Sequence, residues 1–402
     1  MTKIDIIHAA FRAWGRDFYK NPSLSSLAKE LKVSKPALYR HFLCKEALTT
    51  AMTEHFCRDL ADSIRIDFEQ ALAAPDPDDG LYIIIKALSG YFGRNVYSLI
   101  FNLTNIYEKK IDGRAISERI KTHGVDMQIM SRIIEKKYAA YPSNLHLILA
   151  TLIFNLSIFH KNNKSLENAP TPEQIDTISF AIYETSLKGL GLSSINIDTI
   201  DYEKLEAMLK NKIEEKIKID PIEPLFKAVA EAVAEAGPWK ASMEMVAKHM
   251  GLSKSSLYGH FKNKKDMLRR LFITEFKRII DFARQGISLS SNPAEQLYLG
   301  IYSIAIYLRS RPEILISIDW IRTRKLDLGK PDKDLEIFKL FEDININSMQ
   351  NISQEEKQKK SHWIFFLLIN ILMRMENEKA EDTPSIRLLY KFITLGLGGF
   401  KK

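Results

Sequence analysis

The feature that most constrains this 402-residue chain is a string of residues that it contains twice. Ser34–Phe42 reads SKPALYRHF, and Ser253–Phe261 reads SKSSLYGHF, at an offset of 219 positions (253 minus 34). Over the wider windows Ser23–Leu48 and Ser242–Met267 the same offset gives 10 identities in 26 positions. An ungapped repeat of this kind predicts two copies of one folding unit, so we expect a tandem duplication rather than a single large core.

The positive charge of the chain is concentrated in the same two places. Residues 1–58 hold ten Lys and Arg against five Asp and Glu, and residues 222–285 hold twelve against seven. Each segment therefore carries a formal charge of +5, and since the whole chain carries +8, the remainder sums to −2. This partition is typical of two phosphate-binding surfaces rather than of lysines spread evenly over a protein surface.

Apolar residues recur with helical spacing almost throughout, and no segment alternates convincingly like a strand, so the predicted fold class is all-α. Each copy of the repeat is predicted to be a head of three short helices followed by a long connecting helix and a larger helical region. In the first copy the three head helices are predicted at Lys3–Trp14, Leu24–Leu31 and Lys35–Phe42, and the connecting helix at Lys45–Leu72. In the second copy the head helices are predicted at Ile222–Ala236, Met243–Met250 and Lys254–Phe261, and the connecting helix at Lys264–Arg284. The predicted domains are 1–72 and 222–285 for the heads with their connecting helices, 81–192 and 293–402 for the helical regulatory domains, and 193–221 for a linker.

The repeated segment separates into apolar and polar positions. The apolar positions, which would fasten the head helices together, are Leu27, Ala28, Leu31, Val33, Leu38 and Phe42, matched by Val246, Ala247, Met250, Leu252, Leu257 and Phe261. The polar positions, which would remain open, are Ser34, Lys35, Pro36, Ala37, Tyr39, Arg40, His41 and Lys45, matched by Ser253, Lys254, Ser255, Ser256, Tyr258, Gly259, His260 and Lys264. Lys and Arg neutralise phosphates or donate to guanine, Tyr and His donate to phosphate oxygens, and Pro and Ala contact thymine methyl groups. This mixture predicts double-stranded DNA as the partner.

With these residues in view, both copies resemble the DNA-binding domain of the TetR family of bacterial transcription regulators. The family pattern, roughly I-A-x-x-x-G-V-S-x-x-x-L-Y-x-H-F-x-x-K-x-x-L, is matched from Leu27 to Leu48 and again from Val246 to Met267. The resemblance covers about a third of the chain. It implies phosphate contacts for the tyrosine, histidine and lysine of each copy, namely Tyr39, His41 and Lys45, and Tyr258, His260 and Lys264. The remaining polar positions of the recognition helices would meet base edges.

Two departures from the family pattern have physical consequences. The turn glycine of the pattern is Lys32 in the first copy and Gly251 in the second. A non-glycine residue there is expected to adopt a left-handed backbone at a cost of about 1 kcal/mol. The second copy has Gly259 where the first has Arg40, which removes a long side chain from the recognition helix and weakens that helix by about 1 kcal/mol relative to alanine.

The resemblance implies a pairing of the two units through their last helices, as family members pair in homodimers. Here the helices around Leu147–His160 and Ile175–Leu190 would pair with those around Trp363–Arg374 and Ser385–Leu397 within one chain, giving an intramolecular pseudo-dimer. A further homodimer of chains stays open. The expected function is that of a ligand-responsive repressor with an asymmetric operator and a small-molecule effector whose binding residues the sequence does not reveal. The alternative is an architectural DNA binder or an interaction scaffold with degenerate heads.

Other functional classes find little support in the sequence. No nucleophile elbow, phosphate-binding loop, zinc motif or pair of catalytic carboxylates occurs at a usable spacing, so we expect no enzyme activity, no metal and no cofactor. Cys44 and Cys57 form no disulfide framework, which fits a reducing cytoplasm, and Cys44 is interpreted as a small filler. The most apolar runs, Leu147–Phe159 and Trp363–Met373, are too short to span a membrane, and no membrane partner is expected.

Overall fold

In a computed structural model of the chain, the described residues are 2–16, 23–107, 113–139, 141–162, 169–192, 197–219, 223–236, 241–259, 264–323, 340–341, 344, 352–378 and 383–402. Within these ranges the regular structure is helical, and the only paired extended backbone is an isolated bridge between Tyr138 and Lys401. The predicted all-α fold class is therefore confirmed. No helix in the described part of the chain is both long and apolar enough to cross a bilayer.

The chain divides into two compact units. The first unit comprises Met1–Glu184 together with Lys401–Lys402, and the second comprises Thr185–Phe400. Lys402 is held in the first unit because its backbone N–H donates to Lys137 O at 3.3 Å and its ammonium donates to Glu135 O at 2.6 Å. The backbone thus leaves the first unit near residue 184 and re-enters it at Lys401.

The first unit opens with a head of three helices and continues with a larger helical domain. Its described helices are α1 (Lys3–Arg16), α2 (Leu24–Glu30), α3 (Lys35–Tyr39), α4 (Lys45–Ala73), α5 (Pro77–Arg94), α6 (Val96–Tyr107), α7 (Gly113–Thr122), α8 (Ile129–Lys137), α9 (Pro142–Asn162) and α10 (Pro172–Lys188), whose last residues belong to the second unit. The long connecting helix predicted from Lys45 is confirmed. It ends where Asp76 caps the next helix by accepting from Asp78 N–H at 3.0 Å, with Pro77 in the first turn.

The recognition helix α3 is shorter than predicted. It ends at Tyr39 rather than Phe42, because His41 N–H bonds to Leu38 O at 3.0 Å and tightens the last turn. This turn delivers Phe42 into the core of the head, where it is buried. Serines cap both α2 and α3, since Ser23 accepts from Ser26 N–H at 3.0 Å and Ser34 accepts from Ala37 N–H at 3.3 Å.

The second unit repeats the plan after an additional helix. Its described helices are α11 (Tyr202–Ile219), α12 (Pro224–Ala236), α13 (Met243–His249), α14 (Lys254–Gly259), α15 (Lys264–Ile287), α16 (Pro293–Arg309), α17 (Pro312–Thr323), α18 (Gln354–Glu378) and α19 (Thr383–Leu395), followed by a 3₁₀ turn at Gly396–Phe400. The head helices α12–α14 correspond to α1–α3. As in the first unit, the predicted recognition helix Lys254–Phe261 ends earlier in the described part, at Gly259.

Helix α11 lies in the segment 193–221 that was predicted as a linker, and it packs within the second unit. Its Leu205 and Leu209 are buried, and so is the carboxylate of Glu206. That carboxylate accepts from Arg387 Nε at 2.8 Å and Nη2 at 2.9 Å, and from the Tyr298 hydroxyl at 2.5 Å. A carboxylate with three donors is well compensated for its burial, so α11 is fixed to α16 and α19.

Two glycine-containing helix ends meet inside the second unit. Leu190 N–H donates to Ile393 O at 2.7 Å, directly after Gly189 at the end of α10. A Cβ on Gly189 would lie 2.4 Å from Ile393 O, and a Cβ on Gly396 would lie 2.4 Å from the carbonyl carbon of Leu187. Both glycines also have positive φ, 56° and 59°. Glycine is therefore required at both positions for the two backbones to approach each other.

Candidate nucleic-acid interface

The core of each head is built by its apolar positions, with one exception. In the first head Leu27, Ala28, Leu38 and Phe42 are buried, while Leu31 and Val33 are half-buried. In the second head Val246, Ala247 and Leu257 are buried and Met250 is half-buried, whereas Phe261 lies outside the described residues. The exception is Leu252, predicted as core but 38% exposed. It follows the turn glycine directly, and its side chain remains partly at the surface.

The turn between the second and third helices has the same hydrogen bonds in both heads. In the first, Val33 N–H donates to Ala28 O and Lys32 N–H donates to Lys29 O, at 2.9 and 3.1 Å. In the second head, Leu252 N–H donates to Ala247 O at 2.9 Å and Gly251 N–H donates to Lys248 O at 3.0 Å. This is the Schellman arrangement, which needs a left-handed residue after the helix. Gly251 supplies it with φ 68°, and Lys32 adopts it with φ 53°, as the sequence predicted.

The polar face of the first recognition helix is open. Ser34, Lys35, Pro36, Tyr39 and Arg40 are exposed, with 44% of the Tyr39 side chain accessible. The remaining three predicted contact residues are half-buried, namely Ala37, His41 and Lys45. The structure therefore places all eight predicted residues of this head on the N-cap of α3, on α3 itself, on the turn after it and on the first residue of α4.

The ammonium of Lys45 lies over the ring of Trp14, 5.4 Å from the ring centroid. A cation at this distance is attracted to the aromatic face, so α1 helps to position the lysine at the start of α4. Trp14 in turn meets Phe101 of α6 edge-on, with ring centroids 6.0 Å apart. This place of Trp14 was not predictable from the sequence, because nothing in its local spacing relates it to a lysine 31 positions later.

The second head presents a different face. Lys254, Ser255 and Ser256 are exposed, and Ser253 is exposed while its hydroxyl caps α14 by accepting from Ser256 N–H at 3.0 Å. Tyr258 is half-buried, and burial raises the pKa of its hydroxyl. The remaining predicted contacts are Gly259, the last residue of α14, Lys264, the first residue of α15, and His260, which lies outside the described residues.

The connection from α3 to α4 contains two exposed residues that lie beside the predicted contact residues and were not predicted among them. Leu43 is 86% exposed, so it is an apolar side chain placed beside the predicted phosphate contacts. Cys44 is exposed rather than a filler, and its sulfur caps α4 by accepting from Ala47 N–H at 3.4 Å. A cap could have been suspected from its place before a long helix, although cysteine is not among the residues preferred there.

Each head packs against one helix of its own larger domain. In the first unit α6 meets α1 through Phe101, whose ring lies 5.4 Å from that of Phe11 in a T-shaped contact. In the second unit α17 meets α12, and the Ser317 hydroxyl donates to Phe226 O at 3.3 Å. A shift of α6 or α17 would therefore be felt directly by the first helix of the corresponding head.

Comparison with known proteins identifies these heads. The family model of the tetR family of bacterial regulatory proteins matches residues 6–52 and 225–271. A curated relative, the fatty acid metabolism regulator protein of Bacillus subtilis (strain 168), is 27% identical over 115 residues, which are 29% of this chain and 59% of the relative. The chain thus spans less than two thirds of the length of this relative.

The geometry and the matches agree on the kind of head that the chain contains. Each head is a helix–turn–helix with an exposed face of cationic and hydroxyl-bearing side chains, and each is similar to the DNA-binding domain of the tetR family. Both heads are of the TetR type, so the chain contains two TetR-like units in tandem.

Proposed function

We propose that this protein is a ligand-responsive repressor that binds an asymmetric operator in double-stranded DNA with its two non-identical heads. The observation that carries the proposal is the difference between the two exposed faces. The first head has Lys35–Ala37 and Arg40. At the equivalent positions the second head has Lys254–Ser256 and Gly259.

The two faces differ in what they can read. Arg40 is long, cationic and exposed, and an arginine that bonds both guanine acceptors contributes about 1–3 kcal/mol of base discrimination. Gly259 offers no such contact, and Ser255 and Ser256 are short groups that bond to several bases or to phosphates. We therefore expect the half-site of the first head to be specified more strictly than that of the second.

The response to a ligand is supported by the packing of α6 on α1 and of α17 on α12. A small molecule that binds one arrangement of these helices better than another shifts the population of head positions that fit the DNA. Repression is the simplest outcome, since loss of a fitting arrangement releases the operator. We place this activity in the cytoplasm, and the relative named above makes promoters of fatty acid metabolism genes the first natural DNA to test.

Selection of bound sequences from random duplex DNA, carried out with the full chain at two salt concentrations, tests the proposal. We expect one motif with two dissimilar halves that persists at the higher salt. Footprinting of the selected DNA should show stronger sequence dependence in one half. A perfectly palindromic motif with equal protection of both halves would contradict the asymmetric operator.

A second candidate function is non-sequence-specific DNA binding. It is favoured by Gly259, which leaves the second recognition helix without a long side chain at that position. In that case the selection recovers no motif, and binding of any duplex falls steeply with salt. Light scattering of the chain on a single duplex distinguishes one chain per operator, which the pseudo-dimer proposal requires, from a dimer of chains with four heads.

A further inference from the structure

Helix α6 of the first unit carries a buried polar stripe. Ser98, Asn102 and Asn105 follow one another at spacings of four and three residues, which places them on one face of the helix. All three are at least nine-tenths buried. The helix itself contains no Asp, Glu, Lys, Arg or His, so the stripe is polar without being charged.

The stripe contains hydrogen-bonding groups that the protein does not satisfy. Asn102 donates from Nδ2 to Ser98 O at 2.8 Å, but its Oδ1 has no hydrogen-bond partner within the described structure. The Nδ2 of Asn105 and the hydroxyl of Ser89, on the neighbouring helix α5, are in the same situation. Buried polar groups of folded proteins are nearly always bonded to protein or to ordered water, so three such groups on the consecutive helices α5 and α6 indicate a missing partner.

The second unit shows that the fold does not need these polar residues. Helices α5 and α6 correspond to α16 and α17 at an offset of 216, since Pro77 and Pro293 both begin their helices and Val96 and Pro312 both begin the next. The equivalents of Ser89, Ser98, Asn102 and Asn105 are Ala305, Ile314, Ile318 and Ile321. The first three of these are buried, so apolar side chains occupy the equivalent positions in the second unit.

We propose that the buried amide stripe of α6 is the effector site of the first unit, and that it takes an uncharged ligand with an amide or hydroxyl head group and an apolar body. This inference rests on the ligand response proposed above. Asn102 offers an acceptor and Asn105 a donor, and turning a carboxamide over exchanges the two, so a group that both donates and accepts is matched in either case. A carboxylate ligand would have to be buried without a cation on this helix, which is strongly unfavourable.

The site lies one residue away from the contact with the first head. Phe101, next to Asn102, meets Phe11 and Trp14 of α1, and Trp14 carries the ammonium of Lys45 on its ring. A ligand held by the stripe would thus affect Lys45, a predicted phosphate contact, through the contacts of Phe101 with Trp14 and of Trp14 with Lys45. Because the equivalent helix of the second unit has isoleucines, one ligand per chain would control the first head and leave the second unaffected.

Thermal unfolding of the full chain without ligand is the first test. Asn102→Leu and Asn105→Leu replace each amide by an apolar side chain of similar size, as the second unit already has. We expect each to raise Tm by about 2–4 °C, because an unbonded buried group is removed. A fall in Tm for both variants would mean that the amides are bonded within the fold, and the inference would be wrong.

Ligand binding is tested with hexanamide and hexanoate, which share their length and differ in charge. We expect hexanamide to raise the Tm of the native chain, hexanoate to leave it unchanged, and both Leu variants to lose the hexanamide shift. Asn144→Leu is the matched control, since the Oδ1 of Asn144 is also buried and unbonded but lies on α9. It should raise Tm and keep the response to hexanamide.

Two results would overturn the inference, namely no hexanamide shift in the native chain or a shift that persists in the Leu variants. The failure of the proposed function is distinguishable, because the Tm measurements contain no DNA. If hexanamide binds through the stripe but leaves retention of the selected operator unchanged, the site stands and the ligand-responsive part of the proposed function fails.

Discussion

At the scale of single residues, Lys32 and Gly251 show how one turn tolerates two different side chains. Both residues have positive φ in turns with the same hydrogen bonds. A Cβ on Gly251 would meet no atom within 4 Å, so the surroundings do not exclude a side chain there. The difference between the two positions is therefore conformational, about 1 kcal/mol for a non-glycine residue in the left-handed region.

Lys32→Gly is expected to raise the free energy of unfolding by about 1 kcal/mol, because glycine adopts this conformation without strain. Urea unfolding of the full chain measures the change. Gly251→Ala serves as the reciprocal control and should lower the free energy of unfolding by a similar amount. Equal stability of the native chain and Lys32→Gly would show that the first turn is not strained.

His55 gives the first unit a dependence on pH. Its ring is 5.1 Å from that of His8 and 6.4 Å from that of Phe11, measured between ring centroids. Burial lowers the pKa of His55 below 6.5, and the nearby His8 and Arg58 lower it further against the opposing effect of Asp59. The unfolded chain thus binds the proton more readily, so stability is expected to fall as the pH decreases below about 6.5. Urea unfolding at pH 7.5 and 5.5 should show a smaller decrease for His55→Gln than for the native chain.

Local signals in the sequence predict local features of the heads. Ser23 and Ser34 were predictable as caps because a cap is decided by residues two or three positions away. The position of the Lys45 ammonium over the Trp14 ring was not predictable, because it depends on how α1 packs against the start of α4. The exposure of Leu252 was missed for a similar reason, because the pattern of apolar residues does not tell how far the neighbouring helices cover a turn.

At the scale of helices, α11 shows that a charged segment can be an internal part of a domain. Its sequence reads as a solvated linker, yet Glu206 is buried and bonded to Tyr298 and Arg387, which are 92 and 181 positions away. No local pattern reveals partners at such separations. Burial raises the pKa of the Tyr298 hydroxyl, and the carboxylate of Glu206 to which the hydroxyl is bonded raises this pKa further.

Glu206→Gln is expected to lower the free energy of unfolding of the second unit by about 2 kcal/mol. Breaking a fully buried ion pair costs about 3–5 kcal/mol, and the cost is smaller here because the Arg387 side chain remains 31% exposed. Chemical denaturation followed by circular dichroism provides the measurement. Glu203→Gln, an exposed change one turn earlier on α11, should stay within about 0.5 kcal/mol of the native chain. Equal effects of the two substitutions would refute the anchoring role of Glu206.

The contact between the ends of α10 and α19 makes a second prediction about helices. Gly189 and Gly191 both have positive φ, but only a Cβ on Gly189 would collide with backbone. Gly191→Ala is expected to destabilise by about 1 kcal/mol through its φ alone, and Gly189→Ala by clearly more. Thermal unfolding of the two variants side by side gives the comparison. If both variants unfold at the same temperature, the result contradicts a close approach of the two backbones at Gly189.

At the scale of the whole molecule, the duplication was predictable and the division of the chain was not. The repeated string reveals two heads because sequence similarity does not depend on packing. That Lys401 and Lys402 belong to the first unit depends on contacts with Lys137 and Tyr138, more than 260 positions earlier (401 minus 138 is 263). The buried amides of α6 became informative only when the second unit supplied a comparison.

Two heads on one chain can be inactivated one at a time. Tyr39→Phe removes a hydroxyl from an exposed side chain that is predicted to donate to phosphate, and we expect about tenfold weaker binding to the selected operator. Tyr258→Phe should have a smaller effect, because Tyr258 is half-buried. Fluorescence anisotropy at one fixed salt concentration measures both. An unchanged affinity for Tyr39→Phe would show that the first head does not dock through this residue.

The bond from Leu190 N–H to Ile393 O also constrains the order in which the protein is made and folded. It closes a loop of 203 residues (393 minus 190), so it is among the most non-local contacts of the chain. A ribosome that adds about 5–20 residues per second needs about 10–40 s to travel from one partner to the other. During that interval the first head can complete its local helices, whereas the end of α10 cannot form its bond until Ile393 has been translated. The glycine junction is thus a late event of biogenesis, closed only after nearly the whole second unit has been translated.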